Sequence, residues 1–115
     1  MSHDLSLYTV EHTDTIRTAM EKIEQNKYRV VVVVDEGDKV LGTVSDGDIR
    51  RAYMHELLPI APVSQIMQLN PFVTTERDRR KRHEQAVRDR VTVLPIVDEE
   101  NRLVDVELAY EPFEE

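Results

Sequence analysis

The residues best suited to chemistry in this chain lie in one stretch, Gly42-Thr43-Val44-Ser45-Asp46-Gly47-Asp48-Ile49-Arg50-Arg51, which leaves an apolar run and opens a helical one. A hydroxyl and a carboxylate three residues apart admit two readings. In the first they are a helix cap: Ser45 accepts from the first-turn N–H groups and Asp48 returns the bond, a capping-box variant, with acidic residues suiting the helix dipole and Gly42 and Gly47 turning the chain. In the second the same atoms face a ligand. A carboxylate can accept from both hydroxyls of a ribose, and a serine adds one bond. The helix N-terminus together with Arg50 or Arg51 attracts phosphate, Arg29 at the entry of the preceding apolar run supplies another contact, and Gly42 lets a ligand approach the backbone.

Those residues need a frame, and the chain repeats itself to build one. Placing Asp35 over Asp98, an offset of 63, aligns Val30 with Val93, Val33 with Ile96, Val34 with Val97, Glu36 with Glu99, Lys39 with Arg102, Val40 with Leu103 and Leu41 with Val104. Each copy reads as an apolar run, an acidic turn and a second apolar run, which predicts a hairpin. The unbroken apolar character predicts strands buried on both faces. A helix precedes each hairpin. In the first copy Ile16, Ala19, Met20 and Ile23 form its stripe and Thr13 or Asp14 its cap. In the second the helix spans Glu76 to Arg90 with Thr75 as cap, on a poor stripe of Ala86 and Val87. A further helix runs from about Asp46 to Met54, and Pro62–Met67 reads as a short helix with Pro first, closed by Asn70-Pro71. The architecture expected is α+β: two pseudo-symmetric βαββα-like halves, 5–60 and 61–112, packed sheet to sheet, the second reduced at its end. Neither half buries its sheet alone.

The pattern resembles a tandem pair of cystathionine-beta-synthase (CBS) domains, a Bateman module. That family carries a glycine, a serine or threonine three residues on and an aspartate three further, after an apolar strand ending in aspartate; here these are Gly42, Ser45 and Asp48 after Val30–Asp35. The string Gly42–Arg51, with Pro62–Met67 and Asn70-Pro71, is similar to the CBS pairs attached to sugar-phosphate nucleotidyltransferases. The resemblance implies a regulatory module, not an enzyme, that binds AMP, ADP, ATP or S-adenosylmethionine. Ser45 and Asp48 would hold the ribose, Arg29 and Val30 would line base and phosphate, and Val10 would pack on the base. Gly42, Thr43 and Arg50 complete the candidate set. It also implies a homodimer and a nucleotidyltransferase as partner or fused domain. In the second half Asp105, Leu108 and Glu111 replace the glycine, hydroxyl and aspartate, so at most one ribose site of this type is expected. The rival reading is a module that dimerises or scaffolds and holds no nucleotide.

Composition narrows the classes further. There is no cysteine, which excludes a disulfide framework and every thiolate site. The four histidines share no metal spacing, so no metal is expected. A net charge of -8 argues against nucleic acid and anionic membrane. The longest uncharged stretch, Leu57 to Thr75, contains three prolines and predicts no membrane span. No signal peptide is visible, and the cytoplasm is expected. Residues 76–90 hold seven Lys/Arg against four acids. They read as a solvated helix face, or as a patch pairing across a dimer with the acidic stretch after Asp98. Met20, Met54 and Met67 read as core filler.

Overall fold

A computed structural model describes residues 4–110. Strand β1 (Thr9–Glu11) is followed by helix α1 (Ile16–Asn26), the hairpin β2 (Val30–Val34) and β3 (Val40–Ser45), and helix α2 (Asp46–Met54). A short strand β4 (Gln68–Leu69), helix α3 (Arg79–Arg88) and the hairpin β5 (Val93–Val97) and β6 (Leu103–Leu108) complete the chain. One sheet has the order β1-β2-β3-β4 and the other is β5-β6.

The valine run explains the layering. Alternate side chains of a strand point to opposite faces. Val31 and Val33 turn toward α1 and α2, with Val10, Ile16, Ala19, Ile23, Val44 and Ile49. Val32 and Val34 turn the other way, onto Val93, Val97, Leu103, Val106 and Leu108 of the second sheet. Both faces are therefore dry, and the halves pack sheet to sheet as expected. Each fully buried valine contributes about 1.5–3 kcal/mol relative to an exposed one. A smaller cluster of Ala86, Leu94, Ile96 and Ala109 seats α3 on the second hairpin.

The repeat is kept in detail. Val33 pairs with Gly42 and Val34 with Val40 across a register shift. Ile96 pairs with Asp105 and Val97 with Leu103 across the same shift. In each turn the first aspartate accepts two backbone N–H bonds, Asp35 from Gly37 and Lys39 and Asp98 from Glu100 and Arg102, all at 2.9 Å. The two turns also join each other reciprocally: Val40 N–H donates to Asn101 O at 3.0 Å, and Leu103 N–H donates to Asp38 O at 2.8 Å.

Several local expectations change. Thr15, not Thr13 or Asp14, caps α1, accepting from Thr18 N–H at 3.1 Å. Met20 is 39% exposed and Met54 75% exposed, so neither is core filler; Met67 does pack against the first cluster. Helix α3 is capped by Asp78, not Thr75, and covers less than Glu76–Arg90. Its start is delayed because Thr74 still runs extended beside β5, donating to Pro95 O and accepting from Val97 N–H. Only a 3-10 turn, Val63–Gln65, forms after Pro62, which stands before the turn rather than inside it. The inner side of α3 pairs within the chain: Arg82 lies 3.8 Å from Asp105, and His83 Nδ1 lies 3.3 Å from Glu107. Those two acids are thus held in the same molecule and not across a dimer. Any helix after the second hairpin, with Glu111, lies outside the described residues.

Candidate functional site

At Ser45 strand β3 becomes helix α2, and the capping box is fully formed. Asp48 N–H donates to Ser45 Oγ at 3.2 Å, while Asp48 Oδ2 accepts from Ser45 N–H at 2.8 Å and from Ser45 Oγ at 3.0 Å. The other oxygen, Oδ1, accepts from Arg51 Nη2 at 2.6 Å and from Gln68 Nε2 at 2.9 Å. Asp48 is 5% exposed. Its burial pushes the carboxyl pKa up; hydrogen bonds from the Ser45 backbone, Gln68, Arg51 and the Ser45 hydroxyl outweigh that, so the carboxyl titrates below the ordinary aspartate value. A carboxylate has about four acceptor positions, and here all are used.

Beside this corner lies an open cavity of about 610 Å³, within the size range of ligand pockets. Lys27, Tyr28, Arg29 and Val30 form the wall before β2, and Ser45, Asp46, Gly47 and Arg50 form the wall at the head of α2. Thr92 and Tyr110 reach it from the second half. Four of the sequence candidates therefore meet there: Arg29, Val30, Ser45 and Arg50. Arg51, the alternative phosphate contact, is instead paired with Asp48.

The remaining candidates are placed elsewhere. Thr43 lines a neighbouring cavity of about 360 Å³ with Gln68, Leu69, Phe72 and Arg90; Val30 and Thr92 belong to both cavities. Asp48 lies in neither lining but is bonded to one wall residue of each, Ser45 and Gln68. Val10 is buried in the first core cluster at 2% exposure and is not part of the corner. Gly42 is required by the fold: a Cβ there would stand 2.4 Å from the Gln68 carbonyl oxygen of β4, and it lies in neither cavity lining. In the second half Leu108 is buried between the sheets, and Asp105 accepts from Val106 N–H while facing Arg82.

Lys27, Tyr28, Asp46, Thr92 and Tyr110 were not among the sequence candidates. The repeat offset carried a signal for one of them, since Thr92 stands over Arg29. Among the described residues no group of three or more His, Asp or Glu side chains converges as metal ligands, and no helix is long and apolar enough to cross a membrane.

The family model described as CBS domain matches residues 1–55. The structure has the fold of solved CBS-domain proteins. The acetoin utilization protein AcuB of Vibrio cholerae matches with a TM-score of 0.77 and 23% identity over 88% of this chain and 76% of that one. A CBS domain protein of Pyrobaculum aerophilum complexed with AMP matches with a TM-score of 0.69 and 21% identity, over 90% and 85%. A Methanocaldococcus jannaschii protein described as an archaeal homolog of g-AMPK matches with a TM-score of 0.73 and 27% identity over 93% of this chain and 45% of that one. No curated protein matches.

Proposed function

We propose that this chain is a tandem CBS module, with repeats at 5–60 and 61–112, and that it binds an adenosine nucleotide in the cavity at the head of α2 as a regulatory ligand rather than a substrate. The observation that carries this reading is the cavity itself: it borders Ser45 of the motif, is open to solvent, and gathers Lys27, Arg29 and Arg50 there. The AMP-bound Pyrobaculum relative supports the ligand class. For Asp48 to hold a ribose, Oδ1 would have to exchange its two present donors, Arg51 and Gln68, both exposed residues. Oδ2 keeps the cap. Exchange at Oδ1 would release Gln68 and with it β4, which passes the event toward the second half. A homodimer, with a nucleotidyltransferase as partner or fused domain, completes the proposal.

The closed capping box favours a second reading, a folded module without ligand. A thermal-shift screen with AMP, ADP, ATP and S-adenosylmethionine separates the two. A ligand at a hundred times its dissociation constant stabilises by about 2.7 kcal/mol, which for a chain of this size raises the midpoint by roughly 10 °C. An unmoved midpoint with all four leaves the structural reading.

A further inference from the structure

The described wall of the cavity is positive. Among the described residues Lys27, Arg29 and Arg50 line it with one carboxylate, Asp46. Among the described residues none of these three cations has an ion-pair partner. Three cations facing one carboxylate, on a chain whose net charge is -8, make this wall a local site of attraction for an anionic phosphate chain.

The backbone supplies an independent observation. Lys27 and Arg29 both sit in the left-handed region, with φ of 63° and 67°. Glycine takes that conformation without the steric cost that a side chain carries there. Lys27 closes α1, its N–H donating to Ile23 O, and Arg29 O accepts from Asp46 N–H at 3.1 Å. Backbone alone would place glycine at both positions, yet the sequence keeps two long cations. At offset 63 Arg90 matches Lys27, left-handed at φ 56° and on the wall of the neighbouring cavity.

We propose that the cavity selects a nucleotide with a di- or triphosphate chain over a monophosphate, and that Lys27, Arg29 and Arg50 grip that chain. The inference rests on the nucleotide reading above. Isothermal titration with adenosine, AMP, ADP and ATP at about 0.15 M salt tests it, on the wild-type chain and on Lys27→Gly and Arg29→Gly. Both substitutions suit the local backbone, so the free variants should melt at or above the wild-type temperature. The wild type should bind ATP at least about tenfold more tightly than AMP, a difference of about 1.4 kcal/mol. In each variant the ATP-to-AMP ratio should fall to within about threefold, because uniform loss of ground contacts would not change it. AMP binding as tightly as ATP, or a ratio unchanged in both variants, overturns the selectivity while leaving the nucleotide reading intact. Failure of all four compounds to bind removes both.

Discussion

Asp48 occupies a position where a binding carboxylate and a structural one have the same sequence signature. The structure shows the structural use in full: two bonds to Ser45, one to Arg51 and one to Gln68. Asp48→Ala removes the reciprocal cap and the four hydrogen bonds its carboxylate accepts, so it should cost about 1–3 kcal/mol whether or not a ligand binds. Loss of binding in that variant would therefore say little about the ribose. The exposed Arg50 is the cleaner probe of the cavity. Linkage adds a pH signature. The folded carboxyl titrates below its unfolded value of about 3.9, so its stabilisation is complete above that pH and is lost as pH falls through the folded value. Urea unfolding should show the gap between wild type and Asp48→Ala at pH 7 and a smaller one near about pH 3. An equal gap at both would mean that the ionised carboxylate is not what stabilises the corner.

Elements were legible in proportion to how much of their information is local. The hairpins and α2 could be read because valine runs, acidic turns and the Ser45 cap all act within a few residues. Strand β4 could not. It is two residues long, both exposed, and exists because Gly42 leaves room for its backbone. Gly42→Ala should therefore act on β4: the added methyl meets the Gln68 carbonyl and costs about 1–3 kcal/mol by forcing the strands apart. Hydrogen exchange at the Gly42–Leu69 and Thr43–Gln68 pairings should quicken while the β2–β3 ladder stays protected; unchanged exchange there would contradict the close approach. Helix α3 shows the opposite failure. Its local cues offered Thr75 as a cap, but the extended segment at Thr74 postponed the helix. The offset of 63 carries the Thr15 cap onto Asp78, so the long-range repeat held the answer that local pattern missed.

At the scale of the whole molecule charge is segregated along the hairpins. The paired turns hold Asp35, Glu36, Asp38, Asp98, Glu99 and Glu100 against Lys39 and Arg102. The opposite ends, Val30 with Ser45 and Val93 with Leu108, border the cavities where Lys27, Arg29, Arg50 and Arg90 stand. Strands of five or six residues put roughly 17–20 Å between the two ends. This separation was invisible in the net charge, because it depends on how the halves are turned. The junction of the turns has its own test. Asn101 adopts φ 65° and its side chain donates to Val40 O at 2.9 Å. Asn101→Ala loses that bond and places a methyl in the left-handed region, for about 1–2 kcal/mol. Asn101→Gly loses only the bond and should be milder. Denaturant midpoints that rank the two variants the other way would refute this account of the turn.

The reciprocal backbone hydrogen bonds between Val40 and Asn101 and between Leu103 and Asp38 also join the two halves. They tie the halves together at the tips, at the opposite end of the hairpins from the cavities. Parting the halves at the cavity end would therefore strain these tip bonds and the core shared between the sheets. The restraint is symmetric: at an offset of 63 each half donates the same backbone N–H to the same backbone carbonyl of the other.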